Sequence, residues 1–144
     1  MTAKEFLKQI RKLDTMIRNK MAEKDQWKSV AFGITGRTDG ERVQSSGNQQ
    51  KMASAVDRYV DIEREIDEYV DQLIDAKREV IATIELLDTV EYDLLHKVYV
   101  QNYTLKELAI ESGNSESWAT TTHGRALQHL QEVLNRKEQD EQKT

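Results

Sequence analysis

From Met52 onward, apolar side chains recur at steps of three and four through Ala55, Tyr59, Ile62, Ile66, Tyr69, Leu73, Ala76, Val80 and Leu87, with Thr83 the one polar member of the series. Such a pattern, unbroken over about five heptads, is a coiled-coil seam. The positions between carry Asp57, Arg58, Asp61, Glu63, Arg64, Glu65, Asp67, Glu68, Asp71 and Asp75. A helix over 52–87 would run roughly 54 Å at about 1.5 Å per residue, and it cannot bury its stripe alone. The expected partner is residues 3–32. There Phe6, Ile10, Leu13 and Ile17 share a face that Trp27 and Ala31 resume, while Lys20 and Lys24 interrupt it and Met16 and Met21 fill in nearby. Thr2 and Glu5 have the spacing of a capping box at its start. The pattern predicts an antiparallel hairpin, and exchanging the same contacts between two chains would satisfy the seam equally well.

Residues 33–48 are expected to form the connecting loop, with the second helix over about 49–87. Four of the six glycines fall between 33 and 50. A hairpin tip needs only about 2–8 residues, so this one is long. It reads either as a solvated tip or as a contact element in which Arg42, Gln44 and the serines bind phosphate or backbone. After Leu87, Asp88 and Glu91 have cap spacing for a short third helix through Leu94, Leu95, Val98 and Tyr99. The stretch 137–144 is charged, has no apolar residue and is expected to fray.

Composition sharpens this picture. The chain has no proline, and charged residues make up 33% against 38% hydrophobic and 6% aromatic, a balance that suits long helices with narrow buried stripes. Without cysteine there are no disulfides and no thiolate metal sites. No apolar run approaches the roughly 18 residues of a membrane span, and the N-terminal segment lacks the apolar core of a signal peptide. A cytosolic chain with no membrane partner is the expectation. The net charge is −5 but unevenly spread: residues 1–30 carry eight Lys/Arg against four Asp/Glu, and residues 52–95 carry four against thirteen. Two such segments should attract each other.

The segment that carries a function is 92–134. Thr104-Leu105-Lys106-Glu107 has the form of a capping box, Leu108 and Ala109 face inward, and Gly113 stands where a turn between helices needs positive φ. Ser115 can cap the next helix, which buries Ala119, Ala126, Leu127, Leu130 and Leu134. Its first turns present Ser115, Glu116, Ser117, Thr120 and Thr121, short polar side chains suited to base edges or phosphates. A helix-turn-helix is therefore expected over 89–136, although packing alone or a protein-binding face would use the same residues. Lys106 and Arg125 face Glu107, Glu111, Glu116 and Glu132, so the module is not basic.

The run Leu94-Leu95-His96-Lys97-Val98-Tyr99-Val100, then Thr104 to Ala109, then His123-Gly124-Arg125-Ala126-Leu127, resembles the C-terminal module of the ArpU/RinA/LtrC-like late-operon transcription regulators of phages and mobile elements in Gram-positive bacteria. That module is similar to the promoter-reading fourth region of sigma factors. Upstream, Met1 to Leu7 and Asp39 to Gly47 resemble a group of phage proteins with the same layout. The family usually has an arginine where this chain has Val98, and often a basic residue near Thr121. The resemblance implies a DNA-binding regulator acting in the cytoplasm of a bacterial host.

Chemistry of other kinds is not expected. His96, His123 and His129 have no spacing that converges on a metal, and surface or capping roles are expected for all three. Neither cofactor nor enzymatic activity is expected. The sequence thus predicts an all-α protein: a long antiparallel coiled-coil hairpin over 1–88, a helix-turn-helix over 89–136 and a charged tail. It would bind double-stranded DNA through Ser115, Ser117, Thr120, Thr121 and Arg125, form a homo-oligomer through 52–87, and have host RNA polymerase as a further partner. The competing readings are a helical adaptor or assembly protein that binds polymerase or another protein, and a packaging protein like a terminase small subunit. In terminase small subunits the DNA-binding module comes first, the reverse of the order here.

Overall fold

The computed structural model describes residues 1–33 and 46–143, leaving aside the side chains of 46–48. It is all-helical, with no strand among the described residues. The elements are α1 (Ala3–Phe32), α2 (Ser46–Ile84), α3 (Thr89–Leu95) with a π-helical turn over His96–Val100, α4 (Leu105–Ser112) and α5 (Glu116–Gln142). Apart from Gly33 and the helical residues 46–48, the expected loop, with Arg37, Arg42 and Gln44, lies outside the described residues.

Helix ends follow their capping residues. The Thr2–Glu5 pair caps α1 reciprocally: Glu5 N–H donates to Thr2 Oγ1 at 3.2 Å and Thr2 N–H to Glu5 Oε2 at 3.1 Å. The second helix begins at Ser46 and ends at Ile84, three residues earlier at each end than the seam suggests. At its end Leu86 and Leu87 N–H turn to the carbonyls of Thr83 and Ile84, which frees Asp88 to cap α3 through Glu91 N–H at 2.8 Å. The 137–144 stretch departs from its expectation too. α5 runs through it to Gln142, and Lys137 Nζ donates to Thr83 Oγ1 at 2.8 Å.

The chain divides into two compact units. One comprises Leu13–Gln72, where Ile17, Ala31, Ala55 and Ile62 are buried. Lys20 and Lys24, which interrupt the apolar face of α1, sit 2.9 Å from Glu65 and 3.2 Å from Glu63. Arg58 reaches Glu23 at 2.9 Å and Glu65 at 3.1 Å, and Phe32 packs edge-on against Tyr59. Lys20 with Glu65, Lys24 with Glu63 and Phe32 with Tyr59 fall in reverse order along α1 and α2. The interruption in the seam is where the two helices exchange charge.

That network makes a pH dependence. Arg58 beside Glu23 holds the Glu23 carboxyl below its usual value, and Lys20 followed by Arg58 does the same for Glu65. Groups with depressed folded pKa contribute stability above the ordinary carboxylate value, and that contribution is lost as pH falls through the folded value. Lys20, raised by Glu65, and Lys24, raised by Glu63, lose theirs only at alkaline pH. Melting followed by circular dichroism should therefore show a midpoint that declines below about pH 4. The decline should flatten in Glu23→Gln/Glu65→Gln; an equal decline in that variant would assign the effect to other carboxylates.

The other unit comprises Met1–Lys12 and Leu73–Thr144. The sequence boundary at residue 88 therefore does not mark a compact unit. Ala3, Phe6, Leu7 and Ile10 of α1 and Val80 and Ile84 of α2 share one core with Leu94, Leu95, Val98, Tyr99, Leu108, Ala119, Ala126 and Leu130. The reason lies in Ala3 and Leu7, which broaden the apolar face of the first turns beyond the stripe of Phe6 and Ile10. A face that wide needs more than one neighbouring helix.

Candidate nucleic-acid interface

Thr104 starts α4 by accepting from Glu107 N–H at 3.1 Å. The helix stops at Gly113, whose φ of 72° places it in the left-handed region. Gly113 N–H then bonds the Ile110 carbonyl at 3.3 Å and Asn114 N–H the Ala109 carbonyl at 2.9 Å. This pair of bonds is a Schellman closure, which reverses the chain at once and which glycine adopts with least strain. Ser115 starts α5, its Oγ accepting from Trp118 N–H at 3.0 Å. A single residue, Asn114, separates the end of one helix from the cap of the next.

On α5, Ala119, Thr122, Ala126, Leu130 and Leu134 are buried. Ser117, Thr120, Thr121, Gly124 and Arg125 are exposed on the opposite face. Of the residues expected to read DNA, Ser117, Thr121 and Arg125 stand together there as free side chains. Two others are engaged. The Ser115 oxygen is used in capping, and the Thr120 hydroxyl donates to the Glu116 carbonyl at 3.1 Å, leaving its oxygen as an acceptor. Thr122 is 3% exposed, so a residue that looks polar in the sequence belongs to the core.

The expected surface or capping role suits His96, whose Nδ1 lies 2.9 Å from Gln101 Nε2, and His129, whose side chain is 45% exposed, but not His123. His123 stacks on Tyr99, and its Nε2 lies 2.8 Å from the phenol oxygen. Burial, followed by the charge of Lys4, pushes the His123 pKa down. Burial likewise raises Tyr99. His129 Nδ1 sits 2.6 and 2.9 Å from the carboxylate oxygens of Glu91, which is 3% exposed. Glu91 occupies a capping-box position, so its sequence context suggests a local role and conceals this long-range bond. The two contacts fix the depth and rotation of α5 against α3 and the π-helical turn.

The first turns of α1 lie against the same helix. Ala3 N–H donates to Gln131 Oε1 at 2.8 Å, and Arg11 donates to the Val98 carbonyl at 3.3 Å. On α4, Ile110 is 72% exposed, with Glu107 and Glu111 exposed beside it. Lys97 is bound to Asp93 at 3.0 Å and lies 3.7 Å from Glu111. Exposed positive charge on α4 and the first turns of α5 therefore rests on Lys106 and Arg125. Among the described residues no group of three or more His, Asp or Glu is placed to hold a metal ion, and no helix is long and apolar enough to cross a membrane. Comparison with protein-family models, with curated proteins and with solved structures returns no match.

Proposed function

We propose that this protein is a DNA-binding transcriptional regulator of phage or mobile-element late genes. In this reading α4, the Gly113 turn and α5 form a helix-turn-helix, and α5 enters the major groove. The antiparallel segments of α1 and α2 form the coiled-coil hairpin. The reading is carried by one observation: a Schellman turn and a serine cap join two helices through three residues, Gly113, Asn114 and Ser115, leaving Ser117, Thr120, Thr121 and Arg125 on one exposed face. Arg125 would contact phosphate or guanine, and the short hydroxyls would contact base edges or backbone.

A second reading, a helical adaptor that binds RNA polymerase or another protein, is favoured by Ile110. A large apolar side chain 72% exposed between Glu107 and Glu111 suits a protein surface better than a phosphate backbone. Fluorescence anisotropy separates the two readings. The regulator should bind duplex DNA from upstream of the late genes of its own element more tightly than scrambled duplex. Thr120→Ala/Thr121→Ala/Arg125→Ala should remove that preference, at about 1–3 kcal/mol for each base no longer read, with helix content unchanged. Equal affinity for both duplexes, unaltered in the triple variant, selects the adaptor.

A further inference from the structure

We propose that the first three turns of α1 are a second, electrostatic part of this interface, in which Lys4, Lys8 and Lys12 take phosphates of double-stranded DNA beside the exposed face of α5. The proposal rests on the DNA-binding reading and supplies what that reading lacks. Phosphate contacts provide most of the affinity of a DNA-binding protein, and Lys106 and Arg125 offer only two cations amid Glu107, Glu111 and Glu116.

Three observations converge on α1. The first is its place: Ala3 N–H bonds Gln131 on α5, Arg11 bonds the Val98 carbonyl, and the charge of Lys4 is felt at His123. Gln131 lies about two helical turns beyond Gly124 on α5, so Lys4 starts on a turn packed against the helix that carries the proposed reading face. The second is the shape of the helix. Ala3, Phe6, Leu7 and Ile10 are buried, so Lys4, Lys8 and Lys12, at steps of four, are carried together on the exposed side.

The third is the state of these charges. Between Ala3 and Lys12 the helix has one carboxylate, Glu5, and that is bonded to Thr2 N–H. None of the three lysines has an ion-pair partner among the described residues. Further along α1, Lys20 and Lys24 are paired with Glu65 and Glu63. The basic excess of residues 1–30 therefore has two parts. One is paired with α2, and in the other Lys4, Lys8 and Lys12 have no ion-pair partner among the described residues. A cation without a partner meets a phosphate without first breaking an ion pair.

The test is the salt dependence of binding to a fluorescein-labelled mixed-sequence duplex of roughly 30 base pairs, titrated between about 50 and 200 mM salt. Lys4→Gln/Lys8→Gln/Lys12→Gln should make the slope of log K against log salt less negative by about 2.7 per bound chain, at about 0.9 per phosphate. Circular dichroism and melting should stay unchanged, because all three side chains are exposed. A charge-matched Lys28→Gln/Lys51→Gln/Lys77→Gln variant, at three exposed lysines elsewhere, should keep the original slope; an equal change there would overturn the proposal in favour of net charge. An unchanged slope in the lysine triple, with weakened promoter binding in Thr120→Ala/Thr121→Ala/Arg125→Ala, overturns the α1 contacts and leaves the DNA-binding reading standing. No binding by the unmodified chain at the lowest salt overturns both.

Discussion

Leu130→Ala should lower the stability of the unit that holds α5 by about 2–5 kcal/mol, the range for truncating a fully buried leucine in a packed core. Leu130 is 0% exposed and sits in the cluster that joins Leu7, Ile84, Leu94 and Leu95. Removing its isopropyl group leaves a void shared by several helices, and none can close the gap without disturbing the others. At about 2–4 °C per kcal/mol for a chain of this size, the melting midpoint should fall by about 4–20 °C. DNA binding should fall with it at temperatures where the unit opens. Ile110→Ala is the matched control: at 72% exposure its loss should stay within about 0.5 kcal/mol. A midpoint for Leu130→Ala within a degree of the unmodified chain would mean that Leu130 is not in a packed core.

Leu130 also marks what could be read in advance. Its place on the inner face of α5 follows from the spacing of Ala119, Ala126, Leu130 and Leu134 alone. The starts at Asp88, Thr104 and Ser115 are equally legible, because each is a local event between a side chain and a backbone N–H three residues away, and the stop at Gly113 because its positive φ suits glycine. The neighbours across the core were not. Phe6 and Ile10 lie on the same stripe as Ile17, and periodicity says which face is buried without saying against what. Pairings such as Glu91 with His129 and Tyr99 with His123 join residues 38 and 24 positions apart, beyond any local rule.

The candidate site was legible to the same depth. The exposed face of α5 follows from helical period, so Ser117, Thr121 and Arg125 could be named together. What escaped was the use already made of two hydroxyls, Ser115 in its cap and Thr120 against Glu116. The positive charge of residues 1–30 was visible as a sum, and its natural partner seemed to be the acidic stretch 52–95. Ion pairs involving Lys20, Lys24 and Arg58 account for part of that attraction. The lysines of the first three turns stay unpaired because the helix there packs its apolar side into another core.

Ile62→Asp should have the larger effect on the unit comprising Leu13–Gln72. Ile62 is 0% exposed, buried with Ile17, Ala31 and Ala55 among the described residues of that unit, and a carboxylate in its place is sealed from water. Burying such a charge costs on the order of 4 kcal/mol or more, so the helices should separate there and lose much of their circular dichroism signal. Val60→Asp places the same charge two residues away at a position 44% exposed, and helix content should be kept. The pair also bears on oligomeric state. The seam residues Ala55, Ile62, Ala76, Val80 and Thr83 are buried within one chain, so they do not need a second copy to cover them. Val60 and Val70, 44% and 37% exposed, are the apolar side chains of α2 in this unit on which a homodimer would rest. Light scattering should give twice the 16.7 kDa of one chain for the unmodified protein and a single chain for Val60→Asp. A single-chain mass before any substitution would rule out the dimer, while loss of structure in Ile62→Asp but not in Val60→Asp would still hold.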